Sequence, residues 1–131
     1  TKETFMEWGE DMRRHILTVG IRDSFLNALE STGQKDKIQI ISSPSLEIAG
    51  WLLAHRRFAV IVADLEIFSQ LTSTFQYEIR RQSPYVIVLG DAGTKYSWPV
   101  EHEANLFLSY QIPLSKLWSH IMKAFALYVD D

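Results

Sequence analysis

The chain contains no cysteine in its 131 residues. Disulfides, thiolate metal ligands and thiol nucleophiles are therefore excluded together, and a reducing compartment suits such a chain. Glycine is also sparse, at 6 residues, and none of it builds a phosphate-cradling loop, because Gly90-Asp91-Ala92-Gly93 has no lysine after it. No serine stands between glycines at a strand end, so a hydrolase nucleophile elbow is missing. No apolar run approaches the roughly 20 residues of a membrane span, and the opening TKETFMEWGEDMRR lacks the apolar centre of a signal peptide. An excess of one charge is lacking as well. The net charge is −3, and the basic residues are scattered apart from the pairs Arg13-Arg14, Arg56-Arg57 and Arg80-Arg81. Direct nucleic-acid binding is not expected of such a surface. His15, His55, His102 and His120 show no metal-ligand spacing and are expected at the surface or at helix ends. A soluble, cytoplasmic domain without a metal, a cofactor or a membrane contact is the expectation.

What the chain does have is a series of short apolar runs separated by helical periods. Residues 1–11 are acidic, with Phe5, Met6 and Trp8 as their apolar anchors, and read as a leader or extension before a single domain over 12–131. Met12-Arg13-Arg14-His15 leads directly into a first strand, Ile16-Leu17-Thr18-Val19, that Gly20 and Ile21 end. Asp23 or Ser24 is then expected to cap a helix carrying Phe25, Leu26 and Leu29, with Gly33 as its stop. Lys37–Ile41 gives a second strand, and Ser43-Pro44-Ser45 starts a helix with Leu46, Ala49, Leu52 and Leu53 on one stripe and Trp51 off it. Phe58–Ala63 is a continuous apolar run with no alternation, the pattern of a strand covered on both faces, and it ends in Asp64 and Glu66. Phe68, Leu71, Phe75 and Ile79 mark one helix closing at Arg80-Arg81. Tyr85–Leu89 repeats the doubly buried pattern, a short helix is expected near Pro99, and Ala104–Leu108 forms the last strand. After Pro113 comes the strongest amphipathic helix, with Leu114, Leu117, Trp118, Ile121, Met122, Phe125 and Tyr128 on one stripe.

Strands alternating with helices imply a parallel sheet with right-handed crossovers. The expected fold is α/β, a flavodoxin-like three-layer αβα sandwich whose five-stranded parallel sheet has the order 2-1-3-4-5. In such sheets the carboxyl ends of the strands form the functional crevice, which places Asp64 there.

Three segments, FAVIVADLE, PYVIVLG and ANLFLSYQIPLSKL, resemble the third strand, the fourth strand and the fifth-strand-to-helix segment of response-regulator receiver domains. The resemblance covers roughly Arg14 to Val129. It implies that Asp64 occupies the phospho-acceptor position. It also implies which positions have departed. The acidic pair that would hold Mg²⁺ falls on Gly20 and Ile21, the hydroxyl residue after strand four on Gly90, and the lysine after strand five on Tyr110, with Gln111 in place of the usual proline. Asp23 stands near the acidic-pair position but at a helix start, where capping is its expected work. Glu66 and Asp91 are the acids available to rebuild a metal site with Asp64, although as single residues on separate loops they read as exposed turn residues.

Because phosphoryl transfer depends on cations and donors around a negative nucleophile, the resemblance implies a degenerate receiver, or pseudo-receiver, with Mg-dependent phosphorylation lost. Such a module is expected to be non-enzymatic and to act through protein contacts or as a homodimer. Its expected setting is the N-terminal domain of a bacterial transcription regulator, covalently linked to an output domain. Tyr96, Trp98, Tyr110 and Trp118 form the candidate interface, since aromatic residues concentrate at interface centres. Two alternatives stand beside this reading: an atypical receiver still phosphorylated on Asp64, and a flavodoxin-like domain binding a small ligand in the same crevice.

Overall fold

The β-branched runs pair as the sequence pattern demands. In the computed structural model, which describes residues 15–91 and 103–129, with side chains to residue 126, they form one parallel sheet of order β2-β1-β3-β4-β5. The strands are β1 (His15–Val19), β2 (Gln39–Ser43), β3 (Val60–Asp64), β4 (Tyr85–Gly90) and β5 (Leu106–Ser109). The helices are α1 (Asp23–Lys35), α2 (Leu46–His55), the single turn α3 (Leu65–Phe68), α4 (Ser73–Gln82) and α5 (Leu114–Val129). Each central strand is apolar on both sides because each side meets helices. Leu17, Val19, Ile61, Ala63, Val86 and Val88 face α2 and α4, while Ile16, Val60, Val62, Ile87 and Leu89 face α1 and α5. No helix among the described residues is long and apolar enough to cross a membrane.

Local chemistry moved several boundaries. Neither Asp23 nor Ser24 caps α1: Arg22 takes that position without a side-chain bond, which leaves Asp23 in the first turn, where its charge favours the positive end of the helix. Gly33 does not stop α1 either. The helix runs on to Lys35, and Gly33 is glycine because a Cβ there would meet the Ile38 carbonyl at 2.8 Å. The turn into β2 is made instead by Lys37, with φ of 59°. The third strand starts later than expected, at Val60, since the Phe58 N–H bonds the Gln82 side chain and not a neighbouring strand.

The expected single helix from Phe68 to Arg81 is broken in two. Asp64 caps α3 directly after the strand, and Thr72, its hydroxyl oxygen accepting from the Phe75 N–H, caps α4 anew. The last strand begins at Leu106 because Asn105 pairs both ways with Val86, its side-chain oxygen accepting from Val86 N and its own N–H bonding Val86 O, each at 2.8 Å. His15 is not a surface residue. It opens β1, buried, with Nε2 2.8 Å from Gln39 Oε1. The expected helix near Pro99, the leader 1–11, His102 and the Tyr128 side chain lie outside the described residues.

At the amino-terminal pole of the sheet, Gln82 holds the ends of α2 and α4 together. Its amide donates to the carbonyls of Leu53 and Arg56, and its oxygen accepts from Phe58 N. Arg81 adds an ion pair with Glu78 at 2.6 Å and also reaches the Leu53 carbonyl. The carboxyl-terminal pole is thereby left to the loops that carry the candidate site.

Candidate functional site

Asp64 ends β3 at the carboxyl edge of the sheet, in the position expected from the strand pattern, and it is buried. Both of its oxygens are occupied. Oδ2 accepts from the backbone N–H groups of Glu66 at 3.0 Å and Ile67 at 3.2 Å, which makes Asp64 the N-cap of α3. Oδ1 accepts a 2.6 Å hydrogen bond from the Tyr110 hydroxyl, a short bond of the kind made to a charged acceptor.

Tyr110 follows β5 directly, with its N–H on the Gly90 carbonyl at 3.0 Å. Its ring meets Phe25 of α1 edge-on at 5.4 Å and lies beneath the Arg22 guanidinium at 4.0 Å. Arg22 in turn bonds Asp91 at 2.8 Å, so four successive carboxyl-edge loops close into a chain: Asp91, Arg22, Tyr110, Asp64. Burial, chiefly, and then the hydrogen bond and charge of Asp64 raise the Tyr110 phenol above its ordinary value of 10.0, against the opposing pull of Arg22. The Arg22 guanidinium is also raised, first by its bond to Asp91. Tyr110 therefore stays a neutral donor and Asp64 its acceptor.

Two of the glycines at the carboxyl edge are packed closely against side chains of α3. Gly20 takes φ of 66°, and a Cβ on it would lie 2.6 Å from Ile67 Cγ1. A Cβ on Gly90 would lie 2.8 Å from Leu65 Cδ2. Residues 65 and 67 of the turn capped by Asp64 thus lie over the two glycines that stand where the resemblance places an acid and a hydroxyl. Ile21 is buried in the core on the α1–α5 side. What remains open is a shallow cavity of about 270 Å³, lined by Arg22, Asp64, Leu65, Glu66, Ser69, Gly90 and Asp91. Although Glu66 and Asp91 line it with Asp64, no group of three or more histidine or acidic side chains among the described residues is placed to hold a metal ion.

The candidate interface is not assembled by the residues that can be seen. Trp118 is buried in the α1–α5 layer with its indole N–H donating to Asp36 at 2.6 Å, and Tyr110 is committed to Asp64. Tyr96 and Trp98 lie outside the described residues. What sequence reasoning missed is Arg22, a residue of no motif. Its only signal was a position between Ile21 and a helix start, beside a crevice rich in acids.

Sheet order, crossover layers and the placement of Asp64 decide the comparison. The fold is that of response-regulator receiver domains. The chain superposes on the signal receiver domain of an HD domain-containing protein from Pseudomonas fluorescens Pf-5 with a TM-score of 0.71 and 16% identity, covering 91% of this chain and 99% of that one. It superposes on the Francisella response regulator 1452 receiver domain with a TM-score of 0.69 and 13% identity, covering 88% and 98%. The beryllofluoride-activated NtrC4 receiver domain dimer gives 0.66 and 18%, covering 88% and 98%. Neither a family model nor a curated protein sequence matches the chain. At these identities the likeness is one of fold.

Proposed function

We propose that this receiver fold is a non-enzymatic signalling module that acts through protein contacts, as a homodimer or with a protein partner, and that Mg-dependent phosphorylation of Asp64 is lost. The observation that carries the reading is the commitment of both Asp64 oxygens within the fold, one to Tyr110 and one to the α3 amides. An attacking carboxylate needs cationic help against an anionic phosphodonor, and a hydrogen bond from Tyr110 lowers the nucleophilicity of Oδ1. Here Arg22, the cation that lines the cavity with Asp64 among the described residues, is bound to Asp91, and Leu65 and Ile67 pack over Gly90 and Gly20. The Pseudomonas neighbour comes from an HD domain-containing protein. By that analogy the module is joined to an output domain in its full-length protein, a bacterial transcription regulator by our reading, and works in the cytoplasm.

Incubation with acetyl phosphate and Mg²⁺ tests this, read by intact mass and by chemical shifts around Asp64. No phosphoryl adduct and no shift on adding beryllofluoride are expected. An adduct that disappears in Asp64→Asn would restore the phosphorylated-receiver reading, whereas saturable binding of a small ligand without an adduct would move the crevice to a ligand-binding role.

A further inference from the structure

Helix α2 is apolar on two faces. One, formed by Leu46, Ala49, Gly50 and Leu53, is buried against the sheet and α4. The other carries Glu47, Ile48, Trp51, Ala54 and His55 at helical spacing, all of them exposed. Trp51 is 61% exposed and Ile48 46%, and no described residue covers them. A helix apolar on both faces is ordinarily covered on both, so the outer stripe of α2 is a surface that lacks a partner among the described residues.

The charges on this stripe are segregated by end. Glu47 stands toward its amino end and His55 toward its carboxyl end, each four residues from Trp51, or about 6 Å of helix. Arg56 and Arg57, both exposed, extend the basic end. The ion pairs among the described residues are Arg22–Asp91, Arg80–Glu103 and Arg81–Glu78, and Glu47, Arg56 and Arg57 enter none of them. The His55 ring is held in place. It stacks on Trp51 at 4.3 Å, and its Nδ1 donates to the Trp51 carbonyl at 2.8 Å, which leaves Nε2 for another group.

A face with an acid at one end, bases at the other and an apolar centre complements itself once inverted. Two copies of α2 laid antiparallel, with a two-fold axis at Trp51, bring Glu47 of each opposite His55 and Arg56 of the other. The same arrangement sets Ile48 against Ala54 and opposes the two helix dipoles. Laid parallel, the helices would instead set acid against acid and arginine against arginine. We propose that the outer face of α2 is a homodimer surface, on which a second copy of this chain pairs antiparallel through Trp51. The inference rests on the protein-contact reading of the module and names the partner and the surface.

Sedimentation equilibrium of the full chain tests it. The native chain is expected to dimerise at millimolar concentration. Trp51→Glu should leave a monomer with an unchanged far-UV circular dichroism spectrum, because the side chain it replaces is exposed. Glu47→Arg and the double variant R56E/R57E should each dimerise about tenfold more weakly, since each makes both ends of the contact repulsive. Mixed in equal amounts, these two variants should pair with each other at close to native strength, because the mixed dimer again sets opposite charges at both ends. A native chain that stays monomeric, charge variants that associate as the native chain does, or variants that fail to pair on mixing would overturn the proposal. A dimer that survives Trp51→Glu would overturn it too, while leaving the protein-contact reading in place. A phosphoryl adduct on Asp64 in a chain that still dimerises through α2 would support this surface and overturn the loss of phosphorylation alone.

Discussion

At the scale of single residues, the hydrogen bond between Tyr110 and Asp64 governs the crevice. Replacing Tyr110 by Phe removes the donor but keeps the ring under Arg22 and against Phe25, so the change isolates the hydroxyl. A loss of about 1.5–3 kcal/mol is expected in urea unfolding, the usual worth of a hydrogen bond to a charged acceptor. Its pH dependence has a definite sign. Below the phenol's ordinary 10.0 both folded and unfolded chains keep the proton, and the contribution of Tyr110 is whole. Above it the unfolded chain releases that proton while the folded chain, with its raised value, holds on to it, so stability falls as pH climbs. The difference between the native protein and Tyr110→Phe should therefore narrow above pH 10, and a constant difference to the limit of alkaline unfolding would count against this bond. Asp64 as the end of an apolar strand was legible in the sequence. The identity of its partner was not, since Tyr110 is distant in sequence and no period links the two.

Among the elements, α3 is the one that periodicity concealed. Phe68, Leu71, Phe75 and Ile79 keep helical spacing through the break, because both α3 and α4 turn toward the same layer of the core, where Phe68 and Phe75 meet edge-on at 6.0 Å. Periodicity reports which face is buried and is blind to a cap that restarts the helix. The sheet order and the terminal helix were legible for the opposite reason: strands buried on both faces, and a long amphipathic stripe, leave few alternatives. The seat of α3 over Gly20 also has a measurable consequence. Gly20→Asp, which would return an acid to that position, meets Ile67 at a positive φ and should destabilise by about 1–3 kcal/mol. Trimming the obstacle should rescue it: a double-mutant cycle of Gly20→Asp with Ile67→Ala should show favourable coupling of about 1 kcal/mol, and strict additivity would exclude the clash.

For the molecule as a whole, the last helix is bound to the first by chemistry that composition does not display. Trp118 sits in the layer with Leu29 and Ile121, and its indole reaches Asp36 just beyond α1. Trp118→Ala should cost about 3–5 kcal/mol, as large core truncations do. Sedimentation of the surviving folded protein should be unchanged, and a shift in association without loss of stability would return Trp118 to the interface. The place of Trp118 was not legible in the sequence, because an indole near a helix end satisfies the same pattern whether it faces a partner or a neighbouring loop.

The dual duty of Asp64, as strand end and as cap of α3, reaches beyond this chain to how chains of the same fold are read. A lineage that abandoned phosphotransfer would still inherit this aspartate, because removing it unties the α3 amides and Tyr110 together. An aspartate at the end of the third strand is then no badge of a working phosphorelay. Under the function proposed above, the better marker is the pair of packings, Ile67 over Gly20 and Leu65 over Gly90.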